Sequence, residues 1–305
     1  MAWQRLKGMA KPFLPEPLIA RVQRWKRRKR DRQFYAQKLV PLRCGRYDLE
    51  VPEQHYLLEF QESDPYRGLC VGITAKHVAD KYPGCSFLDI GANVGDTAAI
   101  MATHTSGNPL ILVEPSDFFH PILTANAARL PNVRDIKKAL VMDGGDVAGN
   151  LAHSHGGTAW FVPGGSVKAK SVRMEDLCEP DTRFIKIDTD GYDHRIIRSS
   201  IDYLAWLRPV VLYESEIRTP EGLVEADATL DALQSVGYTG FIVWDDPGMH
   251  VVSTTDLDVL RDLNRYLLKI RQQSKRPRLS NYDVCCAHVD DHDVFQALAA
   301  WWRSY

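Results

Sequence analysis

No stretch of this 305-residue sequence approaches the roughly 18 uninterrupted apolar residues that a membrane-spanning helix needs. Pro12, Pro15, Glu16 and Pro17 interrupt the region where the apolar segment of a signal peptide would lie. Cysteine is scarce: six residues, no C-x-x-C pair, and an adjacent Cys285-Cys286 whose spacing is ill suited to a bridge. A disulfide scaffold is thereby excluded; the thiols are expected to be reduced and mostly buried, and a cytoplasmic address is the default expectation. Internal repeats and low-complexity tracts are absent as well, which removes solenoids and linkers from consideration. What remains, 45% hydrophobic and 25% charged residues, is the composition of an ordinary globular chain with enough apolar mass for a sizeable core.

The net charge of -1 hides a polarised chain. Up to Arg46 there are 14 Lys and Arg against two acids, whereas the remainder carries 24 against 37. Leu18, Ile19, Val22 and Trp25 recur at helical spacing and run into Arg24 to Arg30, where every residue but Trp25 is basic. This predicts a basic amphipathic helix within an N-terminal arm, residues 1–46. It is a candidate for peripheral contact with the inner, anionic face of a membrane; the alternative is an arm packed on its own domain.

From about Tyr66 the chain alternates short apolar runs with helical patterns. Strands are predicted at Ser86–Ile90, Pro109–Glu114, Val133–Val141, Arg183–Asp188, Pro209–Glu214, Thr239–Asp245 and Tyr282–Val289. Helices are predicted at Asp96–Thr105, Asp117–Leu130, Asp193–Leu207 and Glu221–Val236, with a helical lead-in over 66–82 and a long helical insertion at Asp256–Gln273. Strands separated by helices of this length argue for βαβ units and a parallel sheet covered on both faces. One domain is expected over 47–305, with a core at 85–245 and a last strand at 282–289. Leu151 to Met174, rich in Gly and Ser, reads as hairpins or loops.

The first strand ends in Phe87-Leu-Asp-Ile-Gly-Ala-Asn-Val-Gly-Asp96, directly before a helix. Gly91 and Gly95 let backbone approach a ligand closely, and the helix start behind them offers free N–H groups. A dinucleotide site would show G-x-G-x-x-G, but Asn93 stands where its second glycine admits a pyrophosphate, so a nicotinamide dehydrogenase fails on spacing. The next strand ends at Glu114, an acid placed to accept the hydroxyl hydrogens of a ribose. The alternative for the glycine loop is an ordinary tight turn.

On Leu88-Asp-Ile-Gly-Ala-Asn-Val-Gly-Asp96, Val113-Glu-Pro115, Ala139-Leu140, Val172 to Leu177 and Ile185-Lys-Ile-Asp-Thr-Asp-Gly-Tyr-Asp193, the chain resembles the class I S-adenosylmethionine-dependent methyltransferases, and within them the FkbM family. The resemblance covers roughly Phe87 to Glu214. It implies a Rossmann-like α/β fold, a doubly wound, mostly parallel seven-stranded sheet with helices on both faces. It implies further that Gly91, Asn93 and Gly95 wrap the methionine moiety of S-adenosyl-L-methionine, that Asp89 supports that turn, that Glu114 holds the ribose, and that the adenine lies near Ala139 and Leu140 with Asp143 following. The second block departs from the family's Lys-x-Asp-x-Glu-Gly-x-Glu: aspartates Asp190 and Asp193 replace both glutamates, and Tyr192 replaces a small residue.

Asp188 and Asp190, with Glu214 at the end of the next strand, are the candidate catalytic residues: a base, or the oxygen ligands of Mg2+ or Mn2+. Lys186 or a substrate hydroxyl would offset their repulsion. Asp190 and Asp193 read alternatively as helix caps, Glu216 as a surface acid, and His153, His155 and His194 as alternative bases, the pair of loop histidines being too few for zinc. The expected activity is methyl transfer to a hydroxyl of a sugar, glycan, lipid-linked sugar or polyketide-like small molecule. Two alternatives stand beside it: a non-catalytic donor-binding or scaffold module, and a nucleic-acid methyltransferase. The latter is disfavoured because Asp-Thr-Asp-Gly replaces the Asn/Asp-Pro-Pro-aromatic motif, and because an acidic catalytic portion repels phosphate, so no nucleic acid is expected as partner.

Overall fold

Within the strands, consecutive apolar residues go to opposite sides of one sheet. Phe87, Leu110 and Phe184 join one buried cluster, and their chain neighbours Leu88, Ile111 and Ile185 join another. That alternation is the pleat of a strand buried on both faces, and it is why these runs read as continuous apolar segments. The structure, a computed structural model, describes residues 37–64, 66–154, 157–274 and 279–305. The basic segment predicted as a helix, and His155, lie outside the described residues.

In chain order the elements are β1 (Leu39–Cys44), β2 (Tyr47–Pro52), α1 (Leu57–Ser63), α2 (Leu69–Lys81), β3 (Ser86–Ile90), α3 (Asp96–His104), β4 (Leu110–Val113), α4 (Phe119–Ala127), β5 (Val133–Lys137), β6 (Leu140–Val141), β7 (Gly145–His153), β8 (Ala159–Val172), β9 (Thr182–Ile187), α5 (Asp193–Ser199), α6 (Ile201–Leu207), β10 (Val210–Glu216), α7 (Pro220–Ser235), β11 (Tyr238–Asp245), β12 (His250–Thr254), α8 (Leu257–Gln273), β13 (Asn281–His288) and α9 (His292–Ser304). The central sheet runs β12-β11-β13-β10-β9-β3-β4-β5. Pairing is parallel from β5 through β4, β3 and β9 to β10, and antiparallel where β13 lies between β10 and β11 and where β12 meets β11. Residues of α2, α3 and α9 pack in one cluster and residues of α5, α7 and α8 in the other, so the sheet is doubly wound.

The sheet has eight strands, not the seven expected. The extra one, β12, returns beside β11 through a turn in which Gly248 takes a left-handed φ of +93° and its N–H donates to the Asp245 carbonyl. The expected strand over Val133–Val141 is two, and β6 pairs with β8 in a separate three-stranded sheet, order β6-β8-β7, whose hairpin starts at Gly145 and fills the Gly-rich stretch. The helix expected over Asp193–Leu207 breaks at buried Ser200, where neighbouring Ser199 turns its hydroxyl onto the Ile196 carbonyl. β1 and β2 pair in a two-stranded sheet, and the compact unit that holds Leu49 and Val51 fully buried runs from Val40 to Tyr305. All six cysteines are free, four of them buried. Among the described residues no helix is long and apolar enough to cross a membrane.

Candidate active site

After β3 the chain moves outward to β4 and β5, and β9 pairs on the other side of β3, so the sheet switches direction between β3 and β9. Open α/β sheets bind ligands at such a point, beyond the carboxyl ends of the strands. Here the two chain ends nearly touch. The Asp188 N–H donates to the Ile90 carbonyl at 3.0 Å, and a Cβ on Gly91 would lie 1.8 Å from the Asp188 carbonyl oxygen. Gly91 carries a φ of +83° and Asn93 one of +47°, a left-handed conformation that asparagine tolerates better than most residues. The Asn93 N–H donates to Glu114 Oε2 at 3.0 Å and the Ser116 N–H donates to Oε1 at 2.7 Å, fixing the carboxylate at the end of β4. Each oxygen keeps a second lone pair for a ligand.

These strand ends open onto one cavity of about 430 Å3, within the roughly 300–1,000 Å3 typical of small-molecule clefts. One part is apolar, with Val113, Ala139, Leu140, Val141 and Leu151; the rest is acidic, with Asp96, Glu114, Asp188, Asp190, Glu214, Asp246 and Asp283 against Lys186 and Arg67. Such a wall favours a cationic ligand or protonated carboxyls. Burial pushes Glu114 up to about 7, although two amides and Lys186 pull it down, and burial likewise raises Asp96 to about 6 and Asp283 to about 7. Lys186 is the principal counter-charge, with its Nζ 3.4 Å from Asp89, 3.3 Å from Asp188 and 3.4 Å from the Gly91 carbonyl. Burial alone would lower its pKa, but Asp188, Asp89 and Asp96 together hold it well above the usual lysine value.

The three candidate catalytic acids line this cavity but differ in kind. Asp188 is ion-paired to Lys186. Glu214 accepts from Asn281 Nδ2 at 2.7 Å, and burial with Asp188, Asp193 and Asp283 nearby raises its pKa well above the usual glutamate value. Asp190 makes no hydrogen bond or ion pair among the described residues, and burial, Asp188, Asp193 and Glu216 raise it to about 8. It also holds a φ of +54°, a strained conformation of the sort that persists at functional sites at a cost of about 1–3 kcal/mol. Asp193 does not cap α5 but accepts from the Thr189 hydroxyl at 2.8 Å, the Thr189 N–H and the Glu214 N–H, tying the Asp190 turn to β10. Among the described residues no three His, Cys, Asp or Glu side chains form a group that could hold a metal ion. Lys186, 3.3 Å from Asp188, is the described cation that offsets part of this crowding of charge.

Other expectations shift too. Gly91, Asn93 and Glu114 line the cavity, whereas Asp89, Gly95 and Asp143 do not. Asp89, fully buried, accepts from the Thr97 hydroxyl and faces Lys186, which braces the turn. Gly95 serves as the left-handed N-cap of α3, and Asp143 is taken by Arg195 at 2.6 Å. Glu216 is not a surface acid: its side chain is 10% exposed and pairs with Arg218 and Arg271. His153 meets the Ser116 hydroxyl at 2.8 Å, and buried His194, pushed down to about 4 by burial, is neutral. The site residues that sequence reasoning missed come from the chain's two flanks. His55, Tyr56 and Arg67 precede the core, while Asn281 and Asp283 arrive on β13. Asn93 Nδ2 donates to the Gly157 carbonyl at 2.7 Å, and a Cβ on Gly157 would meet the His55 ring at 2.3 Å, so the β7–β8 hairpin closes down on the glycine turn.

No family model matches the chain, and no curated protein does. Among solved structures it is similar to methyltransferase FkbM from Methylobacillus flagellatus KT, at 12% identity over 66% of this chain and 43% of that one, with a TM-score of 0.33. It is similar also to magnesium protoporphyrin IX methyltransferase from Synechocystis PCC 6803, solved with bound SAH, at 12% identity over 86% and 94% of the two chains and a TM-score of 0.39. A third is a SAM-dependent O-methyltransferase from Thermotoga maritima, at 14% identity over 70% and 63%, with a TM-score of 0.36. The chain spans less than half the length of the first of these and just under two thirds of the third.

Proposed function

We propose that the protein is an S-adenosylmethionine-dependent methyltransferase that methylates a hydroxyl of a sugar, glycan or polyketide-like acceptor. The observation that carries this reading is the meeting of the Gly91 turn, the Glu114 carboxylate and the Asp188–Asp190 segment on one cavity at the switch point of the sheet. The residues fit the donor. Gly91 leaves the strand ends in contact where a side chain would part them, Glu114 offers carboxylate lone pairs that would accept from ribose hydroxyls, and the apolar patch around Leu140 suits an adenine. The acidic wall complements a sulfonium. When bound, the donor supplies an electrophilic methyl whose carbon–sulfur electrons leave with sulfur as a neutral thioether. The chain's part is to align the acceptor oxygen, exclude water, and take the hydroxyl proton on an Asp190 carboxylate oxygen as the oxygen–carbon bond forms. Labelled donor incubated with fractionated glycan, cell-envelope and metabolite pools tests this reading, and absence of label from every pool, with donor bound, leaves a non-catalytic binding module.

Two further outcomes are expected. Glu114→Ala should weaken donor binding by on the order of 10-fold or more by calorimetry, the scale of one or two charge-assisted hydrogen bonds. Unchanged affinity would remove Glu114 from the donor site. Transfer should continue at its full rate in excess EDTA, with Lys186 offsetting Asp188; loss on chelation, reversed by Mg2+ or Mn2+, would assign Asp188, Asp190 and Glu214 to a metal ion.

A further inference from the structure

Asp190 lines not one cavity but two. On its far side lies a second cleft of about 260 Å3, and Phe161, Asp190 and Tyr192 belong to the walls of both. The two rings meet edge to face at 5.8 Å, so the partition between the cavities is one aromatic pair and one carboxylate. We propose that this second cleft is the acceptor subsite, that it receives a neutral pyranose ring laid against Trp160, and that the hydroxyl to be methylated enters the donor cavity past Asp190. The inference rests on the methyl-transfer reading above and adds to it the route and the chemical class of the acceptor.

The chemistry of the walls selects a sugar. A pyranose has an apolar face of C–H groups and an equator of hydroxyls, and it is recognised by an aromatic ring below and by planar carboxylates and guanidinium groups around the edge. Trp160 is half-buried in the cleft wall, and among the described residues no other ring packs on it. Around it stand Glu216, Glu225 and Arg218. Glu216 is held by Arg218 at 2.5 Å and Arg271 at 2.8 Å, and Glu225 lies 3.8 Å from Arg198, so the acids are neutralised and keep their acceptor lone pairs without drawing in a cation. His194, also in the wall, is buried and neutral, and its Nδ1 has no hydrogen-bond partner.

At the opposite end of the donor cavity the polar groups are already partnered. Its one guanidinium, Arg67, is already engaged by Asp246 at 3.0 Å and by the Phe60 ring at 3.8 Å from the centroid. Glu214 is tied to Asn281, and Asp283 is in contact with Cys70.

Saturation-transfer NMR tests the subsite without knowledge of the natural acceptor. The probes are methyl α-D-glucopyranoside, methyl α-D-mannopyranoside and methyl α-L-rhamnopyranoside, with tetramethylammonium as a cationic control and the full chain saturated with S-adenosylhomocysteine. At least one glycoside should receive saturation at its ring protons. Trp160→Ala should reduce that signal at least about 5-fold, and so should Gly222→Leu, which fills the cleft from its other wall. A Cβ there meets only the Thr219 hydroxyl, at 3.8 Å, and leucine suits a helix better than glycine. Affinity for S-adenosylhomocysteine, which also reports folding, should stay within about 2-fold in both variants. No contact with any glycoside, contact that survives both substitutions, or contact with tetramethylammonium alone overturns the acceptor subsite and leaves methyl transfer standing. Failure of the wild type to bind S-adenosylhomocysteine overturns both.

Discussion

Asp190→Asn is expected to lower turnover by on the order of 10^2- to 10^4-fold, the range a positioned general base contributes, while leaving donor affinity within about 2-fold. Asparagine keeps the shape and tolerates the left-handed φ of +54°, so the turn survives. What disappears is the one candidate acid free of both an ion pair and a hydrogen bond. The pH dependence has a definite sign. Burial and the neighbouring Asp188, Asp193 and Glu216 favour the neutral carboxyl and push it up to about 8, and the working form is the carboxylate. The wild-type kcat/KM should therefore rise with pH through about 8, and the residual activity of the variant should lack that rise. Stability runs the other way. A carboxyl whose folded pKa is raised binds its proton more tightly when folded, so it costs stability as pH climbs from the unfolded value of about 4 toward about 8. Asp190→Asn should thus raise Tm at alkaline pH while disabling the enzyme, a trade expected of a strained catalytic group. Undiminished turnover in the variant would transfer the role of base to Asp188.

What could be read from the sequence is what the chain builds locally. Gly91, Asn93 and Glu114 sit within one βαβ unit, where a short apolar run, a glycine turn and a helix start leave little freedom in how they meet. Asp188 and Asp190 are legible for the same reason: they follow the strand that pairs with β3. The misreadings lie where a distant residue decides. Asp143 is drawn off the donor site by Arg195, 52 positions later, which no local pattern reveals. Glu216 looks like a loop acid because the apolar run ends before it, yet β10 continues to Glu216 in register with Asn281 on β13. Asp283 enters the site only because β13 runs antiparallel between β10 and β11 and sets it opposite Glu214. Its one sequence signal was a charged residue inside an otherwise apolar strand, an aspartate in Tyr282-Asp-Val-Cys-Cys286 that a fully buried strand does not need. Helix α9 does carry a local signal: Val294, Phe295, Leu298, Ala299 and Trp302 are buried at helical spacing.

Gly91→Ala is expected to be the most damaging single-methyl change in the fold. Two independent costs coincide at this position. Its φ of +83° is one that alanine adopts only with strain, and the new Cβ would stand 1.8 Å from the Asp188 carbonyl oxygen and 2.9 Å from its carbon. Both atoms are backbone, in the segment that leaves β9, so no side-chain rotation relieves the overlap. Instead the carboxyl ends of β3 and β9 must part, stretching the Asp188 N–H bond to Ile90 and carrying Asp188 away from Lys186. Strain and overpacking together should cost about 3 kcal/mol or more, read as a Tm lower by on the order of 5–10 °C, with donor binding lost as the turn opens. Gly95→Ala is the control. It has a comparable φ of +91°, but its Cβ would meet only Leu123 Cδ1, at 3.1 Å, the end of a side chain that can rotate away. Its cost should be confined to backbone strain, about 1–2 kcal/mol, with donor affinity largely kept because Gly95 does not line the cavity. Equal effects of the two substitutions on donor affinity would mean that the glycine turn meets the ligand along its whole length. The contact of β3 with β9 would then not be what shapes the site.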